Sequence, residues 1–324
     1  MKLSNALDAF ILEQQLRGNT EKTIRGYKGF ISQFVTWLET CNINEVSAIT
    51  LKHTQGYQLN LNTRRCENKN QKLTRRTVRT YMRHIRIFLA FCFDEGFINE
   101  PIHQKIKLPK AEKPAIEIIN NNEADYLLSV FGDDILAHRN RAIVYLMLDC
   151  GLRLSEVSGI KTNDINLANG YIKVMGKGRK GRIVPIGKKV CKAIQAYKHV
   201  RPDSISDNIF LSIHERPITA NGIAQMINRL KKQTGISRLH AHLLRHTFAT
   251  NFLIYNLGDV YELSRILGHS DIRITEGYVQ LASYYTMLQN RNRQTYLDIK
   301  EMRTARTSEA SETSRISKPN QKSP

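Results

Sequence analysis

Apolar residues recur along most of this chain in steps of three and four, the period of a helix packed by one face. Leu7, Phe10 and Ile11 open the pattern in a first helix, for which Ser4 offers a cap. Asn19-Thr20 is the next start signal; from there Ile24, Tyr27, Ile31, Phe34 and Leu38 define one face, with the single tryptophan, Trp37, beside it as a core aromatic. A third helix is predicted from Thr50 to about Leu61, and the polar stretch 62–72 reads as a loop. A fourth runs from about Thr74 to Phe93 and stops at Gly96, with Pro101 beyond. Val78, Tyr81, Ile85, Phe88, Leu89 and Cys92 form its apolar face. A second stripe on that helix, Arg75, Arg79, Arg83 and Arg86 with Arg76 and Lys72 alongside, has almost no acid to balance it, which favours a phosphate-facing surface over a merely solvated one.

Residues 105–114 hold Pro109, Pro114 and four lysines, the composition of a basic extended linker. Beyond it an asparagine of 120–122 caps a new helix, and a strongly apolar helix at 141–150 ends at Gly151. Arg153 then starts another helix, with Glu156 one turn on, where a carboxylate can meet a guanidinium or an imidazole. The period changes after that. Residues 171–174 and 182–185 are short β-branched runs flanking Gly-Lys-Gly-Arg-Lys-Gly at 176–181, a basic hairpin tip. That tip lacks the spacing and the Lys-Ser/Thr ending of a triphosphate-binding loop. Residues 208–213 read as a further strand, with helices at about 190–199 and 219–234. Leu281, Tyr284, Tyr285 and Leu288 mark an amphipathic helix after Tyr278, and from about Met302 the chain is polar enough to predict a disordered tail.

Charge narrows the partner. The 324 residues carry 49 Lys+Arg against 29 Asp+Glu, a formal net charge of +20, which attracts a polyanion. No apolar run is long enough to span a bilayer and the amino terminus does not read as a signal peptide, so a cytoplasmic, nucleoid-associated protein without a membrane partner is expected. Five dispersed cysteines without a C-x-x-C spacing argue against disulfide frameworks and cysteine-rich zinc sites; most are expected to be small buried hydrophobes.

The candidate chemistry concentrates between His240 and Tyr278. His-Leu-Leu-Arg-His occupies 242–246, Leu-Gly-His-Ser occupies 267–270, and Tyr278 follows nine residues after His269. Guanidiniums hold the non-bridging oxygens of a phosphate by charge-assisted bonds, and Arg153 and Arg245 are the candidates. His242 can take or share the proton of an attacking Tyr278, a lysine such as Lys177 can protonate a departing 5′-oxygen, and His269 can donate a further bond to the phosphate. Fixed cations carry this scheme without a metal or other cofactor. His240, His242 and His246 have spacings that suggest a metal site, but the arginine among them would repel a cation. His246 reads as a helix or core residue. Tyr255, Tyr261, Tyr284 and Tyr285 are rival nucleophiles by proximity, and Lys180 is the rival to Lys177.

Five blocks, Gly-Leu-Arg-Leu-Ser-Glu-Val at 151–157, Gly-Lys-Gly-Arg-Lys-Gly-Arg-Ile-Val-Pro at 176–185, His-Leu-Leu-Arg-His-Thr-Phe-Ala-Thr at 242–250, Leu-Gly-His-Ser at 267–270 and Tyr278, stand in the order and spacing of the tyrosine recombinases of the phage-integrase family, which the chain resembles throughout except in its tail. The resemblance implies a mainly α fold with a small antiparallel sheet: a helical core-binding domain at 1–104, a basic linker at 105–116, a mixed α/β catalytic domain at 117–300 and a disordered tail at 301–324. It implies the short, Xer-like architecture. It also implies that Arg153 and Arg245 clamp the phosphate, Lys177 is the general acid, His242 the base or proton shuttle, His269 a phosphate-contacting imidazole, Tyr278 the nucleophile and Glu156 a support. Arg75, Arg76, Arg79, Arg83, Arg86, Arg179 and Lys180 are the expected DNA contacts. The expected partners are double-stranded recombination sites, further protomers in a homotetramer docked through the carboxy-terminal segment, and an accessory or partner recombinase. The expected activity is strand exchange through a 3′-phosphotyrosyl bond and a Holliday junction, without metal or ATP. A catalytically silent DNA-binding protein of the same fold and a type IB topoisomerase-like activity are the alternatives.

Overall fold

The computed structural model describes residues 1–65, 71–111, 116–176 and 181–289. The chain divides into two compact units, Met1–Pro114 and Ala115–Pro324. The expected tail at 301–324 lies outside the described residues, as do Lys177, Arg179 and Lys180.

The first unit is helical: α1 (Leu3–Leu16), α2 (Glu21–Thr40), α3 (Leu51–Thr63), α4 (Arg75–Asp94) and α5 (Ile102–Lys105). Side-chain oxygens start two of them, since Thr20 accepts from the Thr23 amide and Thr74 from the Thr77 amide. Ser4 does not cap α1. That helix begins at Leu3 with Lys2 in the cap position, because the Leu3 amide is taken by the Asn44 carbonyl. The apolar faces close on one core in which Phe10, Phe34, Leu38, Ile85 and Phe88 are fully buried, and Trp37 packs half-buried against Tyr57. This core reaches into the segment expected as a linker, where Ile106 is buried and Leu108 packs against it. Those two apolar side chains, interleaved with the lysines, outweigh the prolines there.

The second unit contains α6 (Asn121–Ser129), α7 (Ile135–Asp149), α8 (Leu154–Ser158), β1 (Ile165–Asn166), β2 (Tyr171–Met175), β3 (Gly181–Pro185), α9 (Lys188–Val200), α10 (Ala220–Thr234), α11 (Ala241–Ile254), α12 (Val260–Leu267) and α13 (Arg273–Gln289). The sheet is antiparallel in the order β1-β2-β3, with Ile172 opposite Val184 on its buried face. α7 lies at the centre of the main core, its Ala142, Ile143, Val144 and Leu146 fully buried. Residues 208–213 do not form the expected strand. They make single bridges from Asn208 to Lys161 and from Leu211 to Pro217, and the Arg201 guanidinium takes the carbonyls of Asn208 and Ile209 that a neighbouring strand would have used. Cys92 and Cys150 are buried, Cys191 is half-buried and Cys41 is exposed. Among the described residues no helix is long and apolar enough to cross a membrane.

Candidate active site

The site is built on the carboxyl end of α12. A helix ends with carbonyls that lack amide partners and carry the negative end of its dipole, and cations satisfy both deficits. Here three successive carbonyls each receive a guanidinium. Arg182 Nε donates to Ile266 O at 2.6 Å, Arg245 Nη2 to Leu267 O at 2.9 Å, and Arg153 Nη2 to Gly268 O at 3.1 Å. Gly268 caps the helix in the left-handed conformation, φ 63°, and a Cβ on it would stand about 3.0 Å from the Arg182 guanidinium. The Leu-Gly-His-Ser run is therefore a helix stop that gathers arginines.

Arg245 comes from α11 and is 4% exposed. Its Nη1 donates to Gly151 O at 2.6 Å and its Nη2 also meets His269 Nε2 at 3.0 Å. Gly151, just after α7, has φ 62°, and a Cβ there would meet the Phe248 ring at 2.3 Å, so only glycine brings this carbonyl to Arg245. Burial first, then the like charge of Arg153, pulls the Arg245 guanidinium down to about 10, still fully protonated at neutral pH.

Arg153 is the residue before α8, and Glu156 lies one turn into that helix. The Glu156 carboxylate, 4% exposed, accepts from the Arg153 amide at 2.8 Å, from Arg153 Nη1 at 2.8 Å and from both Arg182 terminal nitrogens at 2.8 Å. Burial alone would raise its pKa. The Arg182 fork, the Arg153 amide and the Arg153 side chain together outweigh that and hold it at about 2. Among the described residues neither guanidinium is saturated by these bonds, which leaves N–H donors on both Arg153 and Arg245 for an anion.

His269 follows Gly268. Its Nδ1 bonds Thr275 Oγ1 at 2.8 Å, and its Nε2 faces the obligate donor Arg245. Nε2 must therefore accept, which leaves the ring proton on Nδ1 to be donated to Thr275. Burial, then Arg245 and Arg153, depress this imidazole to about 4, in keeping with a neutral ring. Tyr278, on α13, is 3% exposed and rests on Phe248, Ala249, Phe252, Leu263 and Leu267. Its ring stacks on His269 at 6.5 Å with a 9° interplanar angle, and its hydroxyl bonds His246 Nδ1 at 2.6 Å. Burial pushes the phenol pKa up, and the nearby Arg245 and Arg153 oppose that rise.

Five of the sequence-predicted residues thus converge: Arg153, Glu156, Arg245, His269 and Tyr278. His242 sits one turn before His246 on α11, is exposed, and makes no hydrogen bond among the described residues. Partial desolvation, then Arg245, His240 and Arg153, lower its pKa. Of the rival tyrosines, Tyr255 is exposed and bonds Asn121, Tyr261 and Tyr284 are exposed and Tyr285 is half-buried against Tyr284; among the described residues none of them bonds a site histidine. Sequence reasoning gives no role to Arg182 or Thr275 and reads His246 as a core residue. Arg182 stands in the strand run after the hairpin, and its charge on a half-buried sheet face is the available signal.

On α4, Arg75, Arg76, Arg79, Arg83 and Arg86 are exposed opposite the buried face, and none pairs with an acid among the described residues; Arg79 donates to Pro109 O at 2.8 Å. A surface of this kind displaces counterions when it meets phosphates. Replacing Arg75, Arg79 and Arg83 with alanine is expected to weaken DNA binding and lower the slope of log K against log salt by roughly 0.9 for each phosphate that is no longer neutralised. Binding isotherms over a salt series measure this, and an unchanged slope would return the stripe to ordinary surface charge.

An arrangement of two guanidiniums, neutral imidazoles and a sheltered phenol on one chain fits attack on a phosphodiester by a tyrosine. Comparison with known proteins agrees. Residues 117–284 match the phage integrase family. The chain is 30% identical over 289 residues to tyrosine recombinase XerD of Halalkalibacterium halodurans, covering 86% of this chain and 94% of that one. It is 30% identical over 287 residues to tyrosine recombinase XerC of the same organism, covering 85% and 92%. In fold it is similar to a lambda integrase dimer bound to a COC′ core site, with a TM-score of 0.68, 16% identity and coverage of 86% and 77%. It is also similar to the Tn1549 transposon integrase in complex with circular intermediate DNA, with a TM-score of 0.65, 20% identity and coverage of 86% and 95%. The chain belongs to the phage integrase family of tyrosine recombinases.

Proposed function

We propose that this protein is a site-specific recombinase that cuts and rejoins duplex DNA through Tyr278. The observation that carries the reading is the position of the Tyr278 hydroxyl, buried beside His269 and close enough to Arg245 and Arg153 of the same chain to feel both charges. Arg153 and Arg245 hold the non-bridging oxygens of the scissile phosphate and stabilise the charge that builds at phosphorus; one such donor is worth roughly 10²–10³-fold in rate. Tyr278 attacks to give a 3′-phosphotyrosyl bond, and Lys177 protonates the departing 5′-oxygen. Glu156 and Arg182 keep Arg153 in place. His269 accepts from Arg245 in the present arrangement, so its bond to phosphate requires that contact to open or the ring to be protonated. His242, at the exposed end of α11, joins the site from the side open to DNA.

Energy conserved in the phosphotyrosyl link lets the freed 5′-hydroxyl of one duplex attack the other, with a Holliday junction between two rounds of exchange. A tetramer docked through the segment after Tyr278 serves that exchange. Large apolar side chains stand exposed along α12 and α13, at Tyr261, Ile274, Tyr284 and Met287, which supports a protein partner on that face. Arg75, Arg76, Arg79, Arg83 and Arg86, with Arg179 and Lys180, contact the DNA backbone.

The reading is tested by incubating the protein with a pool of nicked duplexes of randomised sequence and recovering DNA that survives denaturation bound to protein. A defined sequence is expected to emerge, and a plasmid carrying two copies of it is expected to be recombined. Relaxation of supercoiled plasmid without any sequence requirement would replace this reading with a topoisomerase-like one.

A further inference from the structure

Tyr278 needs a place for its proton, because burial holds the phenol in its protonated form at neutral pH. Among the described residues, one titratable side chain hydrogen-bonds its hydroxyl, and that residue is His246. We propose that His246 is the catalytic base that takes the Tyr278 proton as the oxygen attacks phosphorus, and that it returns the proton when the strand is rejoined. This rests on the reading of Tyr278 as the nucleophile.

The geometry is direct. Nδ1 of His246 and the phenol oxygen are 2.6 Å apart, with ring centroids at 5.5 Å. His242, the residue expected to act here, lies one helical turn farther out, with its ring centroid 6.3 Å from that of His246. His246 is half-buried, and the groups facing it are cationic or neutral: His242 and Arg245 from α11, His240 from the residue before that helix, Tyr278 from α13 and His269 from the turn ahead of it. Burial and these neighbours keep the ring unprotonated, down to about 4, so its lone pair is free to accept from the phenol. A phosphate drawn in by Arg153 and Arg245 adds a negative charge nearby and makes the imidazole a better base as the reaction begins.

The step balances. The Tyr278 O–H bond breaks and its electron pair forms the O–P bond, while the proton passes to His246 Nδ1. The bond from phosphorus to the 5′-oxygen breaks, and that oxygen takes a proton from Lys177. In rejoining, the 5′-hydroxyl gives its proton to Lys177, the phosphotyrosyl bond breaks, and His246 returns its proton to the phenolate.

The test is the single-turnover rate of covalent adduct formation on the duplex recovered by denaturation-resistant capture. His246→Ala is expected to slow it about 10²–10⁴-fold, the range for loss of a general base. Imidazole added to the buffer is expected to restore part of the rate, and more as pH rises and imidazole loses its proton. His246→Asn places an amide oxygen where Nδ1 stood, so it keeps the hydrogen bond without a base; it is expected to be as slow as the alanine variant, with DNA affinity and melting temperature kept. An asparagine variant near the wild-type rate would reduce His246 to a positioning role. An alanine variant faster than wild type would make it a restraint on Tyr278. Either result overturns the proposal while the nucleophile reading stands. No adduct from the wild-type protein on bound DNA would remove both.

Discussion

Tyr278→Phe is expected to abolish covalent protein–DNA adducts while leaving DNA affinity little changed. The ring is what the fold uses: it stacks on His269 and packs on Phe248, Phe252, Leu263 and Leu267, all neighbours that phenylalanine keeps. The hydroxyl is what the chemistry uses. Its hydrogen bond to His246 is worth about 0.5–1.5 kcal/mol, so the variant should melt only a few degrees lower. Denaturing gels of protein incubated with the recovered duplex read the adduct, and equilibrium titration reads the affinity. None of the rival tyrosines is placed to supply the missing hydroxyl: Tyr255, Tyr261 and Tyr284 are exposed, Tyr285 is half-buried against Tyr284, and among the described residues none of the four bonds Arg153, Arg245 or His269. Adducts persisting in the phenylalanine variant would move the nucleophile to another residue.

What the sequence makes legible and what it hides divide along sequence distance. Thr20, Thr74 and Asn120 are readable as helix starts because a cap bonds an amide three residues on. The face of α4 is readable because its burial repeats with the helical period. Arg153 and Glu156 are readable as a pair because one helical turn joins them. Arg182 is not, since it reaches Glu156 across 26 positions and Ile266 across 84, and nothing local marks an arginine in a strand as a ligand for either. His246 and Tyr278 are 32 positions apart, and His246 looks from sequence like one more residue on a buried helix. Apolar periodicity is clearest after Tyr278, which sets that residue ahead of the last helix. It lies within α13, and Thr275 in the first turn of that helix can therefore reach His269. The motifs name the residues that carry charge toward a phosphate, while the contacts that hold those residues in place come from the fold.

Removing the Glu156 carboxylate is expected to cost more stability than any other single change at the site. Glu156→Ala leaves Arg153 and Arg182 side by side with no counter-charge, and breaking a buried pair in this way costs about 3–5 kcal/mol. Glu156→Gln keeps the shape but loses the charge. The pH dependence separates charge from shape. A carboxylate held at about 2 in the folded state, against an ordinary 4.5, stabilises the fold fully above pH 4.5, and this contribution fades as pH falls toward 2. That lowering is worth about 3 kcal/mol. Near neutral pH the glutamine variant should therefore melt on the order of 6–12 °C below wild type, and the gap should narrow as the solution is acidified through that window. Taking the difference between the two proteins at each pH cancels the titration of other carboxylates. Adduct formation should fall as well, by about 10²-fold, because Arg153 loses one of the two anchors that hold it to within an ångström of its place, the other being Gly268 O. A gap in melting temperature that stays constant from neutral pH to pH 3 would mean that the carboxylate's charge does not hold the arginines, and that Glu156 contributes packing alone.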